Sequence, residues 1–261
     1  GRTPNYLMLH LLRCGEVVKG NILASPAIYM LNQKLNWIKF TLIYQNIPLQ
    51  NLSCKPMAIK IKYLGLTHLE SVWEDMKAHI SSLPDQDEIW VTEHHPIFTT
   101  GLNKKDFELP TTDIPHIFID RGGKITYHGP GQLIIYTLLN LSKKKISIRE
   151  LVSILENVVI EFLQEECIEA YSEKMAPGVY IHKRKIASIG LRLKNKYVYH
   201  GLSFNVDMDL NPFTSINPCG YKNLEMTQLS DYKKGYNLKE VSKRIIDRIV
   251  EKLGKYEKAN N

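Results

Sequence analysis

Over 57–64 (Met-Ala-Ile-Lys-Ile-Lys-Tyr-Leu) apolar and polar positions alternate, which predicts a half-buried strand at 59–64. Leu69, Val72, Trp73, Met76 and Ile80 recur at helical spacing, so His68–Ile80 reads as a helix facing a core. Glu88–Glu93 and His116–Asp120 read as strands. Pro96, Gly101, Pro110 and Pro115 make His94–Pro115 read as one long loop between them. Gln132–Leu141 is a near-continuous apolar run, as expected of a strand covered on both faces. Ser147 followed by Glu150 is a capping-box signal for a helix from Ile148 to Cys167, with Leu151, Leu155, Val158, Val159 and Phe162 on its apolar face. Val179–His182 predicts a short strand. Lys185–Leu193 and Tyr197–Val206 bracket Lys194-Asn195-Lys196 as a hairpin, with Asn195 suited to a left-handed turn position. Asn211–Met226 reads as a loop and Leu238–Leu253 as an amphipathic helix. Together these elements predict one α/β (α+β) domain with a mixed central sheet flanked by helices.

The segment 1–56 shows no sustained period. The texture changes at Met57, which predicts that Met57 is the natural start and that 1–56 is an upstream or appended extension before a catalytic domain at 57–261. A targeting peptide or a small extra domain are the alternatives; a secretory signal is disfavoured because Arg13 interrupts the short apolar run 6–12. The charge divides the same way. The chain carries +7 overall, and 1–56 holds six cations and one acid, so the remainder is nearly balanced with 28 bases and 26 acids. That distribution argues against a nucleic-acid partner. No run of eighteen apolar residues predicts a membrane span. Of four cysteines, only Cys167 and Cys219 fall in the body, so a disulfide framework is not expected and a reducing, cytoplasmic setting is. Cys167, at a helix end, reads as core.

Three stretches combine unusual backbone with reactive side chains. The first runs from Arg121 to Gln132 (Arg-Gly-Gly-Lys-Ile-Thr-Tyr-His-Gly-Pro-Gly-Gln). Its four glycines allow close approach to a ligand, but it joins two strands and lacks the order of a phosphate-binding P-loop. The second is Ala176-Pro177-Gly178-Val179-Tyr180 followed by Lys183-Arg184-Lys185-Ile186-Ala187-Ser188-Ile189-Gly190. Three adjacent cations read either as a solvated basic cluster or, where a lysine is drawn against the sheet, as a partly desolvated amine, which would suit Lys185 to proton transfer. The third, Asn217-Pro218-Cys219-Gly220, forces a turn that leaves the thiol of Cys219 little cover. A free thiol titrates at about 8.5, so a nearby cation such as Lys185 is needed to activate it.

The histidines do not predict a metal. His94 and His95 are adjacent and no zinc-type spacing occurs, so no metal or other cofactor is expected. His68 and His79 read as helix-surface residues. His128 and His200, beside glycines, are open both to ligand contact and to a structural role.

In this order, Arg121–Gln132, Ala176–Tyr180, Lys185–Gly190, His200–Val206 (His-Gly-Leu-Ser-Phe-Asn-Val) and Asn217–Gly220 resemble the lipoyl(octanoyl) transferases, the lipoate-protein biosynthesis B family. The resemblance implies a fold shared with biotin and lipoate protein ligases. It implies transfer of an octanoyl (or lipoyl) group from the phosphopantetheine thioester of acyl carrier protein to a lysine amine. The acceptors implied are the lipoyl domains of 2-oxoacid dehydrogenase complexes and the glycine cleavage H protein. The family's nucleophilic cysteine falls on Cys219 and its activating lysine on Lys185, as a cation beside the thiolate or as a neutral base. Its acyl-binding residues fall on Arg121, Gly122, Gly123, Lys124, Ile125, Thr126, Tyr127 and His128, on Ser188, Ile189 and Gly190, and on Gly201, Leu202 and Ser203.

With that resemblance, strand 132–141 is expected to wall an acyl tunnel, and Lys143–Lys145 with Lys183 and Arg184 either to attract an acidic carrier protein or to form a solvated basic patch. Three rival readings remain: an ATP-dependent lipoate or biotin ligase of the same fold, a cysteine hydrolase acting on thioesters or peptides, and a catalytically silent acyl-binding module.

Overall fold

The strand Gln132–Asn140 lies at the centre of the fold and every residue of it is buried. Alternate side chains of a strand point to opposite faces, and here both faces are covered. Leu133, Ile135 and Leu139 join one apolar core, while Ile134, Tyr136 and Leu138 join another. These coordinates are a computed structural model that describes residues 59–105, 107–108, 110–174, 176–216 and 224–259. The expected extension 1–56 and start at Met57 lie outside the described residues, and so does Cys219.

In chain order the elements are β1 (Lys60–Thr67), α1 (Leu69–Ser81), β2 (Glu88–His94), β3 (Ile97–Thr100), β4 (His116–Phe118), β5 (Ile125–His128), β6 (Gln132–Asn140), α2 (Leu141–Lys144), α3 (Ile148–Glu165), β7 (Tyr171–Ser172), β8 (Gly178–Ile181), β9 (Arg184–Lys194), β10 (Tyr197–Asn205) and α4 (Leu238–Ala259). A seven-stranded sheet has the order β1-β2-β6-β10-β9-β8-β7, with β1 and β2 parallel and the other pairs antiparallel. A three-stranded sheet has the order β4-β3-β5. The first core of the large sheet is filled by α3 and α4 through Leu155, Val158, Phe162, Val241, Ile245 and Ile249. The second is closed by Val72, Met76 and Ile80 of α1.

Local chemistry sets the boundaries. The capping box at Ser147 and Glu150 is present. The β9–β10 hairpin turns through Asn195 and Lys196 with φ of +50° and +71°, the pattern of a two-residue type I′ turn. β1 runs past the alternating stretch to Thr67 because a bulge between Tyr63 and Gly65 resets the register, which ends the clean period of two.

Three readings of the sequence are corrected. His94–Pro115 is not all loop: β3 lies within it, buried at every position. Four residues covered on both faces carry no alternation, and the flanking prolines dominate the pattern. Cys167 is exposed rather than core. Helix α3 ends at Glu165, and Cys167 takes φ +61° with its N–H donating to the Gln164 carbonyl while Ile168 N–H donates to Leu163, a Schellman closure. Lys144 is not part of a solvated basic patch. It is buried, and its Nζ lies 3.0 Å from Oδ2 of Asp87, whose Oδ1 accepts the Asn140 N–H at 2.7 Å.

Candidate active site

Gly190 on β9 and Gly201 on β10 are register partners, and so are Ser188 and Ser203. These small residues leave the sheet face low. Above it the backbone passes from β4 through Arg121–Lys124 into β5, and a cavity of about 390 Å³ lies between. A Cβ on Gly190 would lie 3.1 Å from the Gly122 oxygen and 3.2 Å from Cδ of Arg121, so glycine is what lets the glycine-rich turn approach.

The cavity is lined by all but one of the expected acyl-binding residues: Arg121, Gly122, Gly123, Lys124, Ile125, Thr126, His128, Ser188, Ile189, Gly190, Gly201, Leu202 and Ser203. Lys185 lines it too. Tyr127 does not. Its neighbours Thr126 and His128 face the cavity, so Tyr127 points to the other side of β5 and packs against Phe98 and Phe213. Five further lining residues come from outside the expected motifs: Leu69, Asn103, Ile119, Ile134 and Tyr136. Leu69 and Ile134 read in sequence as ordinary core positions, and nothing in the pattern marks a core residue that also borders a cavity. Ile134 and Tyr136 bring strand 132–141 into the cavity wall.

Arg121 is anchored rather than free to swing. Its Nη2 donates to the Thr99 carbonyl (2.7 Å) and to Thr99 Oγ1 (2.8 Å), and Nη1 donates to the Gly122 carbonyl (3.0 Å). Thr99 belongs to β3, the strand hidden from the sequence reading. His128 continues the network: Nδ1 is hydrogen-bonded to Gln132 Oε1 at 2.7 Å, and Gln132 Nε2 donates to Asn205 Oδ1 at 2.9 Å. Asn205 Nδ2 then donates to the Thr227 carbonyl at 2.9 Å. Burial pushes the His128 imidazole down to about 3, so it is neutral at physiological pH.

Lys185 is 1% exposed. Its Nζ lies 5.3 Å from the centre of the Tyr180 ring, its partner across β8 and β9. On the inner side, Glu156 of α3 accepts the Gly178 N–H at 2.9 Å. Burial raises the Glu156 carboxyl, while that hydrogen bond and the nearby Lys185 charge oppose the rise. The backbone of Lys185 is bonded on both sides to the segment after 217–223: its N–H donates to Glu225 (2.9 Å), and Thr227 N–H donates to its carbonyl (3.0 Å).

His200 stands at the cavity with φ +62°, a conformation uncommon for a side-chain-bearing residue and one that clusters at functional sites. Its Nε2 lies 2.9 Å from Asp120 Oδ1, which also accepts the Trp73 indole N–H at 2.8 Å; Tyr199 donates to Oδ2. Against the desolvation that would raise it, the bonds from His200, Tyr199 and Trp73 hold the Asp120 carboxyl well below the usual range. Burial lowers His200, with Asp120 opposing. Among the described residues no cluster of histidine, cysteine and acidic side chains is suited to a metal ion.

The large sheet thus has helices on both faces and carries a glycine-floored cavity with a buried lysine in its wall. The fold is similar to that of a bi-partite lipoate protein ligase from Thermoplasma acidophilum (TM-score 0.57, 14% identity, covering 76% of this chain and 84% of that one). It is also similar to the biotin protein ligase of Aquifex aeolicus solved with biotin and ATP (TM-score 0.51, 18% identity, 76% and 72% covered). Residues 72–250 match the lipoyl protein ligase A/B catalytic domain, and the chain belongs to that family. A relative from Neisseria meningitidis named Octanoyltransferase is 51% identical over 177 residues, which cover 67% of this chain and 86% of that protein.

Proposed function

We propose that this chain is an octanoyltransferase of protein lipoylation, taking the acyl group from acyl carrier protein and passing it to the lysine of a lipoyl domain. The acceptors are the lipoyl domains of 2-oxoacid dehydrogenase complexes and the glycine cleavage H protein, and the setting is cytoplasmic. The observation that carries the reading is the meeting of Lys185, the glycine-rich turn and the β9–β10 glycines around one cavity in a chain that is 51% identical to a named octanoyltransferase over 177 residues.

In the proposed reaction Cys219 Sγ attacks the thioester carbonyl and expels the phosphopantetheine thiol, which takes up the proton given up by Cys219. The acceptor amine then attacks the acyl-enzyme, giving an amide and regenerating the thiol. The first exchange is between thioesters of similar energy and the second is downhill, so the sequence runs without ATP. Lys185 stabilises the thiolate as a cation or takes its proton as a base. The backbone ties from Lys185 to Glu225 and Thr227 support this pairing, because they hold two residues that lie six and eight positions after Cys219 in the sequence beside the lysine backbone.

The test is transfer from octanoyl-carrier protein to an apo lipoyl domain. The expected result is an amide product without ATP, with kcat/KM lowered about 100-fold or more in Lys185→Ala. Product formed only from free octanoate plus ATP would assign the chain to the ligase chemistry instead.

A further inference from the structure

The cavity crosses the large sheet rather than running along it. Lys185 stands on β9 with its amine against β8, and the lining then passes through Ser188 and Gly190 of β9, Gly201 and Ser203 of β10, and Ile134 and Tyr136 of β6. From β8 to β6 is three strand spacings, about 14 Å. The floor between carries glycine and serine, so nothing large interrupts a linear ligand. Beyond β6 the way is closed. Val72 and Met76 of α1 share one apolar core with Ile134 and Tyr136, and Leu69, the first residue of α1, lines the cavity itself.

Tyr136 is held in place. Its Oη is hydrogen-bonded to His94 Nε2 at 2.7 Å, and His94 Nδ1 to Thr67 Oγ1 at 3.0 Å. His94 is fully buried. A ring fixed at its polar tip and backed by a helix cannot swing aside as a ligand lengthens.

We infer that Tyr136, braced by His94 and lining the α1 end of the cavity together with Leu69, is the stop that sets the longest acyl chain the site accepts. The inference rests on the acyl-transfer reading above and adds to it the residue that fixes chain length. Selectivity for a chain of medium length is then a property of a rigid wall at the α1 end of the cavity, remote from Lys185.

The test compares kcat/KM for hexanoyl, octanoyl, decanoyl and dodecanoyl thioesters of carrier protein, using the full chain and a lipoyl-domain acceptor. Shortening the stop with Tyr136→Leu is expected to raise the dodecanoyl-to-octanoyl ratio about tenfold or more, the scale of discrimination an apolar pocket makes per methylene or two. Advancing it with Leu69→Phe is expected to raise the hexanoyl-to-octanoyl ratio similarly, and this variant carries the test alone if Tyr136→Leu does not fold. Ratios within twofold of wild type in every folded variant, alongside working octanoyl transfer, overturn the stop. Absence of transfer from any donor by the wild-type protein overturns the acyl reading and the stop together.

Discussion

Gly178 lies so close to Lys185 that a Cβ on Gly178 would overlap Cε of the lysine and the carbonyl oxygen of Ala187. Gly178 also takes φ +145°, which side-chain-bearing residues rarely adopt. The glycine of Ala176-Pro177-Gly178 is therefore the space through which the lysine stem passes. Gly178→Ala is expected to displace the amine and lower octanoyl transfer by about 100-fold, the loss associated with an ångström-scale misplacement. Steady-state kinetics with circular dichroism as a fold control check this. A folded variant with near-normal kcat/KM would show that the lysine does not depend on this gap.

Gly201 is a stability residue as well as a floor residue. A Cβ there would run into the Ile135 carbonyl on the neighbouring strand, where little can yield. Gly201→Ala is expected to destabilise the fold by about 1–3 kcal/mol, read as a lower urea midpoint. An unchanged midpoint would mean that β6 and β10 separate more easily than their pairing implies.

Lys144 and Asp87 form a buried pair, with side chains 3% and 10% exposed. Removing one partner leaves the other charge buried, so Lys144→Ala is expected to cost about 3–5 kcal/mol. The neighbouring Lys143, on the surface against Asp85 at 3.5 Å, is expected to change stability by less than about 1 kcal/mol when replaced by Ala. Thermal melts of both variants separate the structural cation from the surface one.

Acid sensitivity should begin with the histidines. Burial pushes His94 down to about 4 and His128 to about 3, against an ordinary 6.5. In the folded chain both stay neutral as pH falls below 6.5, while in the unfolded chain both take up protons. The unfolded state then binds more protons, so stability is full above about 6.5 and is lost as pH falls toward 4. Glu166, held at about 2 by Lys233 and its neighbours, contributes the usual carboxylate loss only below its ordinary 4.5. The melting temperature is expected to fall between about pH 6.5 and 5, and less steeply in His94→Gln. A flat profile across that window would contradict the neutral, buried assignment.

The elements that sequence predicts well are those whose period and caps agree: α1, α3 with its capping box, the doubly covered β6 and the β9–β10 hairpin. Those that it hides are set by tertiary context. β3 is too short and too buried to alternate, yet through Thr99 it anchors Arg121. Tyr127 sits inside the motif that lines the cavity and still faces away, because β5 alternates whatever the motif. Leu69 and Ile134 look like core in sequence and are core, and only their place beside the glycine floor brings them to the cavity as well.

The central claim is that an acyl group rests on Cys219 between donor and acceptor. Intact-mass measurement after mixing the chain with octanoyl-carrier protein, with no acceptor present, tests it most directly. The account predicts a single octanoyl adduct, retained in Cys167→Ser and absent in Cys219→Ser. An adduct that persists in Cys219→Ser, or steady transfer to a lipoyl domain by that variant, would contradict it.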